Sequence, residues 1–125
     1  MRNFVIVGAA LISLACANKG PRVTPPDRNL ITADEIARSN GSTAYEVIER
    51  LRPAFLRTRG SQSIQNPVPL SPIVYVDGMR YGAVGTLAQI PAMGIVSIQY
   101  MSAVDASQRF GLGNEGGAIL VATKH

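Results

Sequence analysis

Asp77 has the setting of a reactive carboxylate: in "PIVYVDGMRYG", residues 72 to 82, it follows an apolar run and precedes a glycine, a basic residue and an aromatic one. General acid–base work there needs a second group at the same place, either a paired carboxylate or a histidine. The one histidine of the chain is His125. Asp-Gly after an apolar run is also a strong hairpin signal, because a tight turn asks for positive φ, which glycine adopts freely and aspartate tolerates. Asp77 and Gly78 are therefore assigned to a structural turn, with "MRYG" beginning a short return strand.

Three other groups of residues could carry chemistry. Arg50, Arg52, Arg57 and Arg59 crowd into "RLRPAFLRTRG" and are candidate contacts for phosphate or carboxylate. Arginines at the end of a helix also complement its dipole and cover apolar surface with their stems, which is the structural alternative. Gly111, Gly113, Gly116 and Gly117 form a flexible loop, "GLGNEGG", without the Lys-Ser/Thr of a phosphate loop. The loop lies between a helix and a strand, whereas a dinucleotide site needs strand then helix. No His/Cys/Asp cluster has metal spacing and no Ser-His arrangement is present, so neither catalytic residues nor metal ligands are assigned, no cofactor is implied, and a non-enzymatic role is expected.

The third group is a single residue. Arg2 precedes the apolar run "FVIVGAALISL" (4 to 14), and the small residues Ala15, Cys16 and Ala17 follow it. This is the pattern of a secretory signal peptide; a membrane-spanning helix needs about 20 apolar residues, and Asn18, Lys19 and Gly20 end the run too soon. "ISLAC" resembles the lipobox of bacterial lipoproteins, with Ser13 in place of the usual large aliphatic. That resemblance implies acylation of Cys16 and a lipid anchor, at the outer membrane given Ala17. The alternative is ordinary cleavage after Ala15 or Ala17, giving a soluble periplasmic protein. Cys16 is the only cysteine, so no disulfide forms within the chain.

Residues 1–16 are thus read as the signal peptide and 17–29, "ANKGPRVTPPDRN", as an extended Pro-rich tether. Residues 30–125 form the folded domain, and 46% hydrophobic content suffices for one modest core. Without Arg2, eleven Lys and Arg face eight Asp and Glu, a net charge of +3. Export and the lack of an aromatic-interleaved basic surface argue against nucleic acid.

The elements that must position these residues follow from caps and periodicity. Thr32 with Glu35 forms a capping box and Asn40-Gly41 a stop, which predicts a short helix over 33–39. Thr43 with Glu46 repeats the device, Ala44, Val47, Ile48 and Leu51 make one apolar stripe, and Pro53 ends the helix. "IVYVD" (73–77) and "AILVAT" (118–123) are near-continuous apolar runs, suited to strands covered on both faces. "IVSIQYM" (95–101) alternates, as a half-exposed strand does. Helical segments are predicted near 86–90 and over 103–110, the latter capped by Ser102 and stopped by Gly111. The expected class is α+β: a small mixed β-sheet with short helices packed on it, in two layers.

"PIVYVDGMRYG", "LAQIPAMGIVSIQYMSAVDASQRFG" and "NEGGAILVATK", in this order over residues 70–124, resemble the plug domain of TonB-dependent outer-membrane receptors. The resemblance implies a plug-like fold and an envelope protein as partner, an outer-membrane β-barrel being one candidate. Two departures accompany it. No barrel follows within the 125 residues, so a stand-alone module is expected, and Gln99 stands where the family usually has glutamate. "NLITADEI" (29–36) is the faint candidate for the box that contacts the energy-transducing protein, although its capping box favours a helix. The expected function is a protein-interaction module on the periplasmic side of the outer membrane. The alternative is a periplasmic small-molecule binding protein that uses the glycine-rich loops.

Overall fold

The computed structural model describes residues 25–60, 64–65 and 69–125. The signal peptide, Cys16 and most of the tether lie outside the described residues.

Five strands form one mixed sheet: β1 (Leu30–Thr32), β2 (Ile73–Val76), β3 (Met79–Ala83), β4 (Ile95–Met101) and β5 (Ala118–Thr123). Their spatial order is β1-β4-β5-β2-β3. β5 runs antiparallel to β4 and parallel to β2, so the last strand in sequence holds the centre of the sheet. Burial explains the apolar runs. On β2, Val74 and Tyr75 point to opposite faces and both are buried; on β5, Ala118 and Ile119 do the same. β4 alternates, with Ile95 and Ile98 inside and Val96 and Gln99 exposed.

Three α-helices cover the sheet: α1 (Ala33–Ser39), α2 (Ala44–Leu51) and α3 (Ala103–Phe110). Each begins where a side chain accepts a free backbone N–H. Thr32 and Glu35 make a reciprocal box, Thr43 accepts from the Glu46 N–H, and Ser102 accepts from the Asp105 N–H. Ala44, Val47 and Ile48 of α2 are fully buried against Ile31, Val74, Leu87, Ile98 and Ile119. Burying Val47 or Ile48 stabilises by about 1.5–3 kcal/mol each. α3 packs on the opposite face, where Ala106 and Phe110 meet Tyr75 and Ala118. Phe110 stacks on Tyr75 with ring centroids 3.9 Å apart.

The class is α+β, but the layering differs from the sequence expectation. Helices lie on both faces, making three layers rather than two, which is what continuous apolar strands require. β1 is also an addition. Its pairing of Ile31 with Ile98 places "LIT" on the sheet edge, so the segment from Asn29 enters the sheet before α1 begins. The helical turns after Pro53 and after Ala83 are 3-10 turns, over Pro53–Leu56 and Val84–Gln89, and a third covers Ala92–Gly94. The folded region reaches back into the expected tether, because the Leu30 N–H donates to the Asp27 carbonyl and the Tyr100 N–H to the Asn29 carbonyl.

Candidate functional site

Two bends lie at opposite ends of the central strands β2 and β5, and both contain residues singled out by sequence. Asp77 (φ 49°) and Gly78 (φ 83°) are the two central residues of the β2–β3 hairpin, where Val76 pairs with Met79. Two successive positive φ values in a two-residue loop make a type I′ turn, whose twist matches that of the strands. The Asp77 carboxylate does not serve the turn itself. It accepts from the backbone N–H of Thr123 at 2.8 Å and from the Thr123 hydroxyl, and its own backbone N–H donates to the Val121 carbonyl at 2.9 Å. The hairpin end is thereby tied to the end of β5.

This environment fits an anchor rather than a base. The Thr123 hydroxyl, then the Thr123 N–H, hold the Asp77 carboxyl below its ordinary value, and nearby His125 adds to the effect. A general base works best with a pKa near the operating pH, and these bonds move Asp77 the other way. His125 Nε2 lies 3.5 Å from the carboxylate with its side chain 81% exposed, so the ring is held by little else.

The glycine loop is organised around a residue that sequence reasoning passed over. Asn114 is fully buried. Its carbonyl oxygen accepts from the Tyr75 hydroxyl at 2.9 Å, its amide donates to the Gly111 carbonyl at 2.9 Å, and its backbone carbonyl accepts from Gly117. Gly111 ends α3 with φ 86°, its N–H donating to the Ser107 carbonyl. Gly113 and Gly117 also hold positive φ. A side chain at Gly116 would overlap the backbone of Ser71, and one at Gly117 would meet the Tyr100 hydroxyl and the Met101 carbonyl. The Gly116-Gly117 end of the loop is thus closed by packing, while Gly111 to Gly113 stay exposed. The only local hint of Asn114 is an amide between glycines in "GLGNEGG"; its buried partner Tyr75 is 39 residues away.

The four arginines separate into two pairs. Arg50 donates to the Ser39 carbonyl at 2.8 Å, joining α2 to the end of α1. Arg52 pairs with Glu35 at 3.0 Å and also donates to the Leu51 carbonyl. Glu35 is held below its ordinary value chiefly by the Thr32 backbone N–H, with Arg52 adding to it. Arg57 and Arg59 instead line a cleft of about 440 Å³ together with Arg28, Asn29, Phe55 and Tyr100. The Arg59 guanidinium sits 5.9 Å from the centroid of the Tyr100 ring.

Among the described residues, no three His, Cys, Asp or Glu side chains come together as a metal site, and no helix is long and apolar enough to cross a membrane. No protein-family model and no curated protein matches the chain.

Proposed function

We propose that this protein is a non-enzymatic interaction module of the cell envelope, a plug-like domain held at the periplasmic face of the outer membrane through Cys16. The observation that carries the role is the outer edge of β3. β3 ends the sheet, and Met79 and Tyr81 are 74% and 48% exposed beside Arg80. An edge strand of this kind offers backbone donors and acceptors to a partner, with alternate side chains available for selectivity. Further support comes from the bends at Asp77-Gly78 and Gly111–Gly117, which are stiffened by cross-links to β5 and to Tyr75 and so present the hairpin in one orientation. The solute-binding alternative has less support, since two of the glycines it would use, Gly116 and Gly117, are packed against Ser71, Tyr100 and Met101.

A photo-crosslinking amino acid at Tyr81, in cells producing the full chain, tests the role. An adduct with an outer-membrane β-barrel protein is the expected result; a chain that forms no adduct with any envelope protein overturns it. The anchor is checked separately. Cys16→Ser is expected to move the protein from the membrane to the soluble periplasmic fraction, because two or three acyl chains make a stable anchor and their loss removes it. Retention of that variant in the membrane refutes lipidation as the anchor.

A further inference from the structure

The cleft beside Phe55 and Tyr100 carries an inference of its own, independent of the interaction-module role. Its three cationic side chains come from two separate segments. Arg57 and Arg59 stand two apart on extended chain, Arg59 being bridged to Leu70, and a two-residue period puts both on one face. Arg28 arrives from the turn that precedes β1. Between them lies an aromatic floor: Phe55 and Tyr100 stack with centroids 5.3 Å apart and planes 25° from parallel.

The guanidiniums are not neutralised. All eight Asp and Glu residues are among the described residues, and the ion pairs there are Arg52 with Glu35 and His125 with Asp77. No carboxylate side chain therefore lies in ion-pair contact with Arg28, Arg57 or Arg59. The adjoining cleft does hold Asp27 and Asp105 and shares Arg59 and Tyr100. Both of these acids are already engaged, Asp27 accepting from the Asn29 N–H at 2.9 Å and Asp105 from the Ser102 hydroxyl at 2.7 Å. Three like charges at one concave surface, with no carboxylate in ion-pair contact, favour an anion there.

We infer that this cleft binds a small ligand that carries an oxyanion, a carboxylate or a phosphate, next to a flat or apolar portion. Guanidinium forks match the oxygens of either group, and the stacked rings offer a surface for the rest of the molecule. The volume lies within the range of small-molecule sites. A lipid surface would need basic residues spread over an open face, whereas these three line a concavity.

The test is a titration of the full chain, followed by NMR, with phenylacetate, phenyl phosphate and the neutral control benzyl alcohol. Saturable shifts of the Thr58, Arg59 and Tyr100 signals are expected with at least one anion, and benzyl alcohol is expected to bind at least about tenfold more weakly, since it lacks the charge-assisted bonds. The tighter of the two anions names the ligand's head group. The affinity should fall as salt rises from about 50 to about 500 mM. The double variant Arg57→Gln/Arg59→Gln should lose about tenfold or more with an unchanged melting temperature, and Arg28→Gln should lose less. If the double variant does not fold, Arg28→Gln alone carries the comparison. Equal binding of benzyl alcohol and the anions, unaltered binding by every arginine variant, or no saturable response to either anion overturns the inference. Arginine-dependent binding to phosphatidylglycerol vesicles without response to the soluble anions would do so too, assigning these residues to a lipid surface.

Discussion

At the Asp77-Gly78 bend, a methyl group added to the glycine meets nothing within 4 Å; at Gly116 the same methyl would overlap the carbonyl of Ser71. Gly78 is glycine because of a torsion, φ 83°, which an L-residue adopts only under strain. Gly116 is glycine because another stretch of backbone occupies the space its side chain would need. Gly117 combines the two, with φ 89° and close approach to the Tyr100 hydroxyl. A turn tuned by torsion tolerates a change of residue at modest cost, whereas a loop fixed by contact does not, because backbone cannot move aside as a flexible side chain can.

The largest effect that separates the two bends is expected from Gly116→Ala. Overpacking against fixed backbone costs about 3 kcal/mol or more. At about 4–8 °C per kcal/mol, the melting temperature should drop by more than about 12 °C. A drop of a degree or two would show that Ser71 can withdraw and that contact does not govern this loop. Next comes Asn114→Ala, which leaves the buried Tyr75 hydroxyl without its acceptor and the Gly111 carbonyl without its donor, at a cost of about 1–3 kcal/mol. Restoring stability by adding Tyr75→Phe to that variant would confirm the hydroxyl as the source, and a merely additive double variant would exclude it.

Gly78→Ala should cost about 1–2 kcal/mol, the left-handed penalty alone. The sharper form of this comparison uses D-alanine. Introduced by semisynthesis at position 78, it should match or exceed the parent in stability, since positive φ suits a D-residue and the space is open. A D-residue at 78 that destabilises as much as the L-residue would remove torsion as the reason for that glycine.

The smallest effect is at Asp77. Asp77→Asn keeps the turn, since asparagine tolerates positive φ, but exchanges an ionised acceptor of two Thr123 bonds for a neutral one. The folded Asp77 carboxyl titrates below its ordinary value of 3.8, so between the two values the unfolded chain binds the extra proton. Its contribution is therefore complete above the ordinary value and disappears as pH falls through the folded value. Thermal melts should place Asp77→Asn slightly below the parent at pH 7, and the gap should close under acid conditions. A gap that stays constant with pH would mean that the charge on Asp77 contributes nothing.

What sequence disclosed and what it concealed divide along the same line. Thr32, Thr43 and Ser102 could be read as caps because each partner lies three residues away, and Asp-Gly as a hairpin because the torsions belong to the pair itself. β1 was not legible, since three residues become a strand only by pairing with β4, about 67 positions later. The partner of the Asp77 carboxylate is 46 residues away, and the four clustered arginines give no sign of which two reach back to Glu35 and Ser39. The third guanidinium of the cleft, Arg28, sits in a stretch whose prolines and polar residues read as tether. Apolar runs on 73–76 and 118–121 did imply two covered faces, so the third layer was present in the pattern, although two layers were expected.

The central place of β5 has a kinetic consequence. A chain delivered from its N-terminus by a ribosome presents β1, β2, β3 and β4 before residues 118–123 arrive. Until then the sheet can exist only as two unconnected pairs, β1 with β4 and β2 with β3, and two-stranded units are at best marginal in water. The sheet therefore gains its cooperative connection only when β5 arrives to join the two pairs.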